Sequence, residues 1–333
     1  MQIAVIGAGA IGGTIAALLD RAGHTVEVTA RGEHLAAIRE SGLRLSGAWG
    51  THLARVEAAE TLTRTPELVF VCTKAQDARS AILANADLLA GRPCVIVQNG
   101  LEALGTARDA LPEAEWIGAL ALYAASFLAP GEVTVTAAGP TYLGTGEGEP
   151  SPAAREAAGV LGAVMPADAV RNFTGAQWSK LIVNQVNAMP AITGLSVQET
   201  IADARLRRII TRGMQEAVRT GFALGRRFGR VQGLSNTVLR LFAAAPPRLA
   251  EQLPMLMARR MGSTPNPGST LQSIRRGQPT EVDYLNGAVV AEAARGGRTA
   301  PVNAALTALV HEVERTGAVR PPRAASATTA PLR

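Results

Sequence analysis

The two lysines of this chain are the residues that most strongly suggest chemistry. They are Lys74 and Lys180, and the other 31 of the 33 basic residues are arginines. A chain that uses arginine for ordinary positive charge needs lysine where a compact, protonatable ammonium must reach a phosphate or a reacting atom. We therefore expect functional roles at both positions.

Lys180 lies in an apolar segment that also carries two asparagines. On a helix, Lys180, Asn184 and Asn187 fall within about 60° of one another. The residues between them include leucine, isoleucine and valine, so one ammonium and two amides share a stripe on an otherwise apolar segment. Buried polar groups need partners. The pattern indicates a substrate site, and the alternative is a polar stripe that faces solvent.

A second polar group follows at residues 268–272 and again at residues 278–287. We expect Thr280 and Glu281 to begin a helix, where the helix dipole favours a carboxylate. Two interpretations stay open for Glu281, a functional carboxylate or a residue of the first turn that only caps the helix.

The chain begins with a pattern typical of dinucleotide binding. Residues 2–6 form a continuous apolar run of the kind found in buried parallel strands. A helix over residues 14–22 and a strand over residues 25–29 would complete a βαβ unit. In that context a Gly-x-Gly-x-x-Gly loop indicates pyrophosphate binding by backbone amides at a helix N-terminus, and the alternative is a tight turn without a ligand. The loop residues are Gly7, Ala8, Gly9, Ala10, Ile11 and Gly12.

The residues at the ends of the later strands indicate which nucleotide binds. Arg31 follows the second strand, where an acidic residue would favour NAD and an arginine suits the 2′-phosphate of NADP. Glu27 lies inside that strand, too early to reach the ribose. Lys74 and Asn99 follow two further strands, at the edge of a parallel sheet where ligands bind. We therefore predict a site for NADP(H).

The order of elements predicts two domains and a tail. Strands alternate with helices in the first half, which indicates an α/β Rossmann domain with a doubly wound parallel sheet. We place strands 117–123 and 133–136 near the far edge of that sheet. Strand character disappears after residue 166, so an all-α C-terminal domain should follow. The expected boundaries are 1–166 and 167–316, with a disordered tail over 317–333.

Composition narrows the classes of function. The net charge of +6 and the pI near 10.1 would suit nucleic-acid binding, but residues 205–230 offer few aromatics for base stacking. No uncharged run reaches the roughly 20 apolar residues of a membrane helix, and the N-terminus does not resemble a signal peptide. The scattered cysteines and histidines predict neither a disulfide framework nor a metal site. We expect a cytoplasmic protein without nucleic-acid or membrane partners.

Together these residues resemble the ketopantoate reductase (2-dehydropantoate 2-reductase) family over nearly the whole chain. That family joins an N-terminal Rossmann domain to a helical C-terminal domain and reduces a 2-oxo acid with NADPH. The resemblance rests on GAGAIG at 7–12, Arg31, Lys74, QNG at 98–100, KLIVN at 180–184, STLQ at 269–272 and TEVDYLNG at 280–287.

The resemblance implies a role for each polar residue of the second half. Lys180 would be the general acid, and Glu281 would support the nicotinamide side of the cofactor and the substrate carbonyl. Asn184 and Ser269 would bind substrate, and Asn187 offers a further amide donor to the same set. The chemistry agrees, because hydride addition to a ketone makes an alkoxide-like oxygen that an ammonium can stabilise and protonate.

The expected reaction is the reduction of ketopantoate to pantoate, a step of pantothenate biosynthesis, or that of a related 2-oxo acid. The chain departs from the family pattern at Ala188, where a second asparagine is usual, and at Ser273, where aspartate usually follows Gln272. Another 2-oxo acid, a ketone or an imine therefore stays open as the substrate. A hydroxyacid or opine-type dehydrogenase and a non-catalytic NADP-binding sensor are the alternative functions. The expected partner is a small anionic 2-oxo acid, and a homodimer is one assembly open to the chain.

Overall fold

A computed structural model describes residues 1–262 and 265–328. The chain divides into two compact units, Met1–Thr174 and Gly175–Arg333.

The first unit is an α/β fold. Its strands are β1 (Gln2–Ile6), β2 (Thr25–Thr29), β3 (Leu43–Gly47), β4 (His52–Ala54), β5 (Glu57–Ala59), β6 (Leu68–Val71), β7 (Pro93–Val97), β8 (Glu115–Ala121), β9 (Ala124–Ala129), β10 (Glu132–Ala137), β11 (Thr141–Gly144) and β12 (Ala167–Ala169). Its helices are α1 (Ala10–Arg21), α2 (Gly32–Ser41), α3 (Ala75–Leu83), α4 (Ala86–Leu89), α5 (Ala103–Ala110) and α6 (Pro152–Gly162).

The main sheet of the first unit is doubly wound. Within the described residues its eight strands follow the order β12-β11-β8-β7-β6-β1-β2-β5. β1 pairs in parallel with β2 on one side and with β6 on the other, and the parallel ladder continues through β7 to β8. Strand order therefore reverses beside β1, which is where doubly wound sheets bind ligands. The predicted Rossmann class is confirmed.

A second sheet, in the order β4-β3-β10-β9, covers α1 on the side away from the main sheet. Every residue of α1 from Gly12 to Leu19 is buried, since the helix is packed between two sheets. A Cβ added to Gly13 would stand 3.0 Å from Val133 Cγ1 of β10. This close approach brings the second sheet against the helix that begins at the glycine loop.

Two strands were wrongly placed at the far edge of the main sheet. β8 is an inner strand, because β11 pairs with it in antiparallel fashion and β12 extends the sheet further. β10 belongs to the second sheet, where it pairs with β9 and β3. The pairing of β12 with β11 also moves the boundary between the units from residue 166 to Thr174.

The second unit is helical in its described part, which confirms the predicted all-α class. Its longest helix, α10, contacts α9, α11, α15 and α16. The elements are α7 (Phe173–Asn184, which begins in the first unit), a 3₁₀ turn (Gln185–Asn187), α8 (Ala188–Thr193), α9 (Val197–Ala202), α10 (Ala204–Ala223), α11 (Asn236–Ala244), α12 (Pro247–Ala250), α13 (Gln252–Arg260), α14 (Gly268–Arg275), α15 (Val282–Arg295), α16 (Pro301–Thr316) and α17 (Pro322–Thr328).

Part of the tail that was expected to be disordered is folded. The backbone N–H of Arg320 donates to the Ile192 carbonyl at 2.7 Å, and the Arg320 guanidinium pairs with Glu312. α17 follows, with Ala325 fully buried. These contacts fix residues 320–328 on the helical unit, against the prediction, while residues 329–333 lie outside the described residues.

The described residues also bear on membranes, metals and thiols. No helix there is long and apolar enough to cross a membrane. No group of three or more histidine, cysteine, aspartate or glutamate residues there could hold a metal ion. Cys72 and Cys94 are both free thiols, and burial raises the pKa of Cys94 to about 12.

Candidate active site

The parallel ladders bring the carboxyl ends of four strands to one edge of the main sheet. Ile6 of β1 lies opposite both Thr29 of β2 and Val71 of β6, and Val71 lies opposite Ile96 of β7. The predicted cofactor residues follow these strand ends by one to three positions, so the structure places them at the same edge. They are the loop that starts at Gly7, then Arg31, Lys74 and Asn99.

The glycine loop has the close packing and the open front that its motif requires. Gly7 has φ +92°, which residues with a Cβ rarely adopt. A Cβ on Gly12 would stand 2.1 Å from the Gly7 carbonyl oxygen, so only glycine fits there. Gly9, in contrast, is exposed and has no atom within 4 Å of a built Cβ among its described surroundings. The front of the loop is therefore open to a ligand.

Contacts from outside the motif hold this loop in place. The N–H of Gly7 donates to Thr29 Oγ1 at 2.9 Å. The carbonyl of Ala8 lies 2.7 Å from His34 Nε2, while His34 Nδ1 accepts from the N–H of Gly131 at 2.9 Å. Since Nδ1 accepts, the ring proton lies on Nε2 and is donated to Ala8. Burial lowers the pKa of His34, which favours this neutral form. Sequence reasoning missed His34 because its partners are backbone groups.

The residues around the loop fit a dinucleotide. Ala10 and Ile11 begin α1, and the first N–H groups of a helix have no partner within it. Thr73, which follows β6, has a buried Oγ1 with no hydrogen-bond partner among the described residues. Its methyl carbon would lie 2.9 Å from a Cβ on Gly7, so the orphaned hydroxyl stands beside the loop. Gln98 donates to the Thr73 carbonyl at 2.8 Å and joins the ends of β6 and β7.

Two basic residues, Arg31 and Lys74, follow strand ends at this edge, whereas the acidic residue of β2 is turned to another task. Glu27 is 1% exposed, and its carboxylate accepts hydrogen bonds from Thr63 N and Oγ1 at 2.7 and 2.8 Å. That carboxylate is occupied in fixing a loop and does not face the edge where the nucleotide would bind. Arg31 is the exposed N-cap residue of α2, and Lys74 is the half-buried N-cap residue of α3.

Lys180 lies on a stretch of α7 that is otherwise buried. Trp178, Ser179, Leu181 and Ile182 are all at most 1% exposed, whereas Lys180 is half-buried. Burial lowers the pKa of Lys180 from 10.5 to about 8. The site therefore holds an ammonium whose pKa lies close to neutral pH.

The helix that carries Lys180 is shorter than the sequence predicts. Lys180, Asn184 and Asn187 were expected on one helix, but α7 ends at Asn184 and a 3₁₀ turn covers Gln185–Asn187. With three residues per turn, Asn187 lies one 3₁₀ turn beyond Asn184, so the predicted shared face is retained. Asn184 is buried and Asn187 is half-buried.

Asn187 and Ser269, two of the predicted substrate residues, are in contact. Asn187 Nδ2 donates to Ser269 Oγ at 3.4 Å. A Cβ on Gly268 would stand 2.8 Å from Asn187 Oδ1, so the glycine leaves room for the amide. Ala188, the next residue, is 1% exposed, so its methyl side chain is buried.

Glu281 is the half-buried N-cap residue of α15, and in the described structure its side chain makes no capping bond. Thr280 takes that role, since its Oγ1 accepts from the Val282 N–H at 3.3 Å.

A buried amide network lies behind these residues and was not predicted. Asn286 Nδ2 donates to Gln185 Oε1 at 2.8 Å and to Asn303 Oδ1 at 2.9 Å. Asn303 Nδ2 in turn donates to Glu216 Oε2 at 2.8 Å. Its only trace in the sequence is weak, an asparagine in the middle of an apolar helix.

Comparison with known proteins identifies the family. Residues 3–148 match the family described as "Ketopantoate reductase PanE/ApbA", and residues 172–314 match "Ketopantoate reductase PanE/ApbA C terminal". The 2-dehydropantoate 2-reductase of Archaeoglobus fulgidus is 30% identical over 326 residues, which cover 94% of this chain and 98% of that protein.

Solved structures give the same result. A PanE/ApbA family ketopantoate reductase from Ralstonia eutropha JMP134 has a TM-score of 0.79 at 30% identity, covering 95% of this chain and 99% of that one. A D-mandelate dehydrogenase, solved with NADH and anilino(oxo)acetate, shares the fold with a TM-score of 0.80 at 20% identity, covering 95% and 99% of the two chains. This chain belongs to the ketopantoate reductase family and is thus an NAD(P)H-dependent oxidoreductase that acts on CH–OH groups.

Proposed function

We propose that this protein reduces a small 2-oxo acid to the 2-hydroxy acid with NADPH, and that ketopantoate or a close relative is the substrate. The observation that carries the proposal is the half-buried Lys180, whose pKa burial lowers to about 8. An ammonium with this pKa is protonated at neutral pH and is acidic enough to give up its proton.

The helical unit supplies the acid and the groups that orient the substrate. NADPH, when bound, supplies the hydride. The Lys180 ammonium stabilises the negative charge that develops on the substrate's carbonyl oxygen and then gives that oxygen its proton. Asn184 lies one helical turn beyond Lys180 on the same face, where its amide holds the substrate near the ammonium.

The contact between Asn187 and Ser269 suits the carboxylate of a 2-oxo acid. An amide N–H and a hydroxyl are neutral donors that bind a carboxylate without neutralising the lysine. Asn187 takes the place of the family's second asparagine, which supports ketopantoate as a substrate despite Ala188. Glu281 stands at the N-terminus of α15, and we assign it to support the substrate carbonyl and the nicotinamide side of the cofactor.

The choice of NADPH over NADH rests on Arg31. Its guanidinium follows β2 at the ligand-binding edge and can grip a 2′-phosphate through two parallel hydrogen bonds. Lys74 adds a second cation at the same edge. The only acidic side chain of β2, Glu27, is bound to Thr63 and offers the ribose hydroxyls nothing.

The test is an assay of NADPH consumption by the purified protein with ketopantoate, with smaller and larger 2-oxo acids, and with a 2-oxo acid plus an amino acid. We expect turnover with ketopantoate or another 2-oxo acid alone, with the 2-hydroxy acid as product. Turnover that needs the amine would indicate an opine-type dehydrogenase. Tight NADPH binding without turnover on any of them would indicate a sensor and contradict the proposal.

A further inference from the structure

A chain of hydrogen bonds joins α16 to the start of α15 on both sides of Glu281. The Thr280 N–H donates to Glu314 Oε1 at 2.7 Å. Glu314 Oε2 lies 2.7 Å from His311 Nδ1, and His311 Nε2 lies 2.9 Å from Asp283 Oδ1. These hydrogen bonds therefore hold Thr280, the residue before Glu281, and Asp283, the second residue after it.

The backbone at Glu281 depends on contacts from outside α15. The residue has φ −102° and ψ 23°, outside the helix that it precedes, so α15 does not by itself fix its direction. Thr280 precedes the N-cap residue, so its N–H has no partner within α15 and needs one from elsewhere. Glu314, 34 residues further along the chain, provides that partner.

The imidazole of His311 makes the second half of this connection. The groups that face it are the carboxylates of Asp283 and Glu314, on two different helices. Burial opposes its protonation, but the two carboxylates outweigh burial and raise the pKa of His311. An imidazolium donates to both carboxylates at once, whereas a neutral imidazole has one N–H and donates to only one.

We infer that Glu314, together with His311, is a positioning residue that holds Glu281 in its working orientation. The geometry carries this inference, because Glu314 accepts from the Thr280 N–H on one side of Glu281 and His311 contacts Asp283 on the other. It rests on the proposed function, in which Glu281 supports the substrate carbonyl.

The test compares substitutions at two glutamates of α16. Glu314→Ala removes the bond to the Thr280 N–H, whereas Glu314→Gln retains a carbonyl oxygen that accepts it. Glu312→Ala is the matched control, because Glu312 also accepts a hydrogen bond, from Arg320 at 2.6 Å, but does not bind the start of α15. Misplacement of a reacting group by about 1 Å can cost about 100-fold in rate.

We expect Glu314→Ala to lower kcat by about 10- to 100-fold at saturating substrate. Glu314→Gln is expected to restore most of kcat, and Glu312→Ala is expected to leave kcat unchanged even if it lowers the melting temperature. Equal losses in Glu314→Ala and Glu312→Ala would show a merely structural role and overturn the inference. Circular dichroism of each variant confirms that it is folded.

A double-substitution cycle with Glu281→Gln separates this inference from the proposed function. If Glu314 acts through Glu281, adding Glu314→Ala to Glu281→Gln lowers kcat no further. If the double variant instead shows the product of the two single losses in kcat, the inference is overturned. A normal kcat for Glu314→Ala, where Glu281→Gln is impaired, would overturn it too. A normal kcat for Glu281→Gln alone would instead refute the role of Glu281 in the proposed function, and the positioning role would fall with it.

Discussion

The amide of Asn286 donates to Gln185 Oε1 at 2.8 Å in a part of the helical unit where both residues are 1% exposed. Gln185 directly follows Asn184, and Asn286 lies on the helix that Glu281 precedes. The bond therefore ties the turn after Lys180 to α15. A buried polar network whose members are all paired fixes one arrangement of the elements that it joins.

Loss of the Asn286 amide should lower stability strongly. Asn286→Ala leaves the acceptor oxygens of Gln185 and Asn303 without this donor, at a cost of about 1–3 kcal/mol for each group left unpaired in the interior. Urea unfolding, followed by circular dichroism, measures the change. Gln252→Ala is the control, since Gln252 is an exposed amide of the same unit. Similar stability of the two variants would show that the network contributes little.

Gly9 and Gly12 should respond differently to substitution by alanine. Gly9→Ala places its Cβ in open space, so the fold should keep its stability while NADPH binds more weakly, because the methyl group blocks the phosphates. Gly12→Ala places a Cβ 2.1 Å from the Gly7 carbonyl oxygen, so stability and binding should both fall. Melting temperatures and NADPH titrations check this pair. Normal NADPH affinity in Gly9→Ala would show that the phosphates do not bind at this loop.

Arg31→Ala should lower affinity for NADPH by about tenfold or more and leave affinity for NADH nearly unchanged, since a charged hydrogen bond contributes about 1.5–3 kcal/mol. Arg39→Ala is the matched control, because Arg39 lies on the same helix but donates to the Ala58 carbonyl. Fluorescence titration with each cofactor measures both affinities. An equal loss for the two cofactors would rule out Arg31 as the group that reads the 2′-phosphate.

The pH dependence of turnover should follow Lys180. Its pKa is lowered to about 8, so the protonated acid is present below pH 8 and is lost as pH rises above it. The kcat for reduction should therefore be level near neutral pH and fall about tenfold per pH unit well above pH 8. Oxidation of the hydroxy acid needs the neutral amine and should rise over the same range. A reduction rate that is level up to pH 10 would contradict the assignment.

The sequence was sufficient for features that depend on local pattern. The glycine loop, the strand before it and the arginine after β2 are adjacent in the chain, and one βαβ unit fixes their positions. Lys180 and Asn184 were found because one helical turn separates them, and Asn187 kept its face because a 3₁₀ turn also returns after three residues.

Features that depend on distant partners could not be predicted. His34 binds a carbonyl 26 residues away, and Glu314 binds a backbone N–H 34 residues away, so neither leaves a trace in residue types. The second sheet was not predicted because β10 pairs with β3, a strand that lies far earlier in the sequence. Ala188 marked a departure from the family pattern, and the contact of Asn187 with Ser269, 82 residues away, could not be read from the residue types.

The most direct test of the account is the rate of the reduction step in Lys180→Ala and Lys180→Arg with NADPH already bound. General acid catalysis contributes about 10²–10⁴-fold, so Lys180→Ala should lose at least that much in a single turnover while NADPH affinity is unchanged. Lys180→Arg should not restore the rate, because a guanidinium keeps the charge but does not release its proton. Near-normal turnover in Lys180→Arg, or a raised KM with normal kcat in Lys180→Ala, would contradict the role of Lys180 as proton donor.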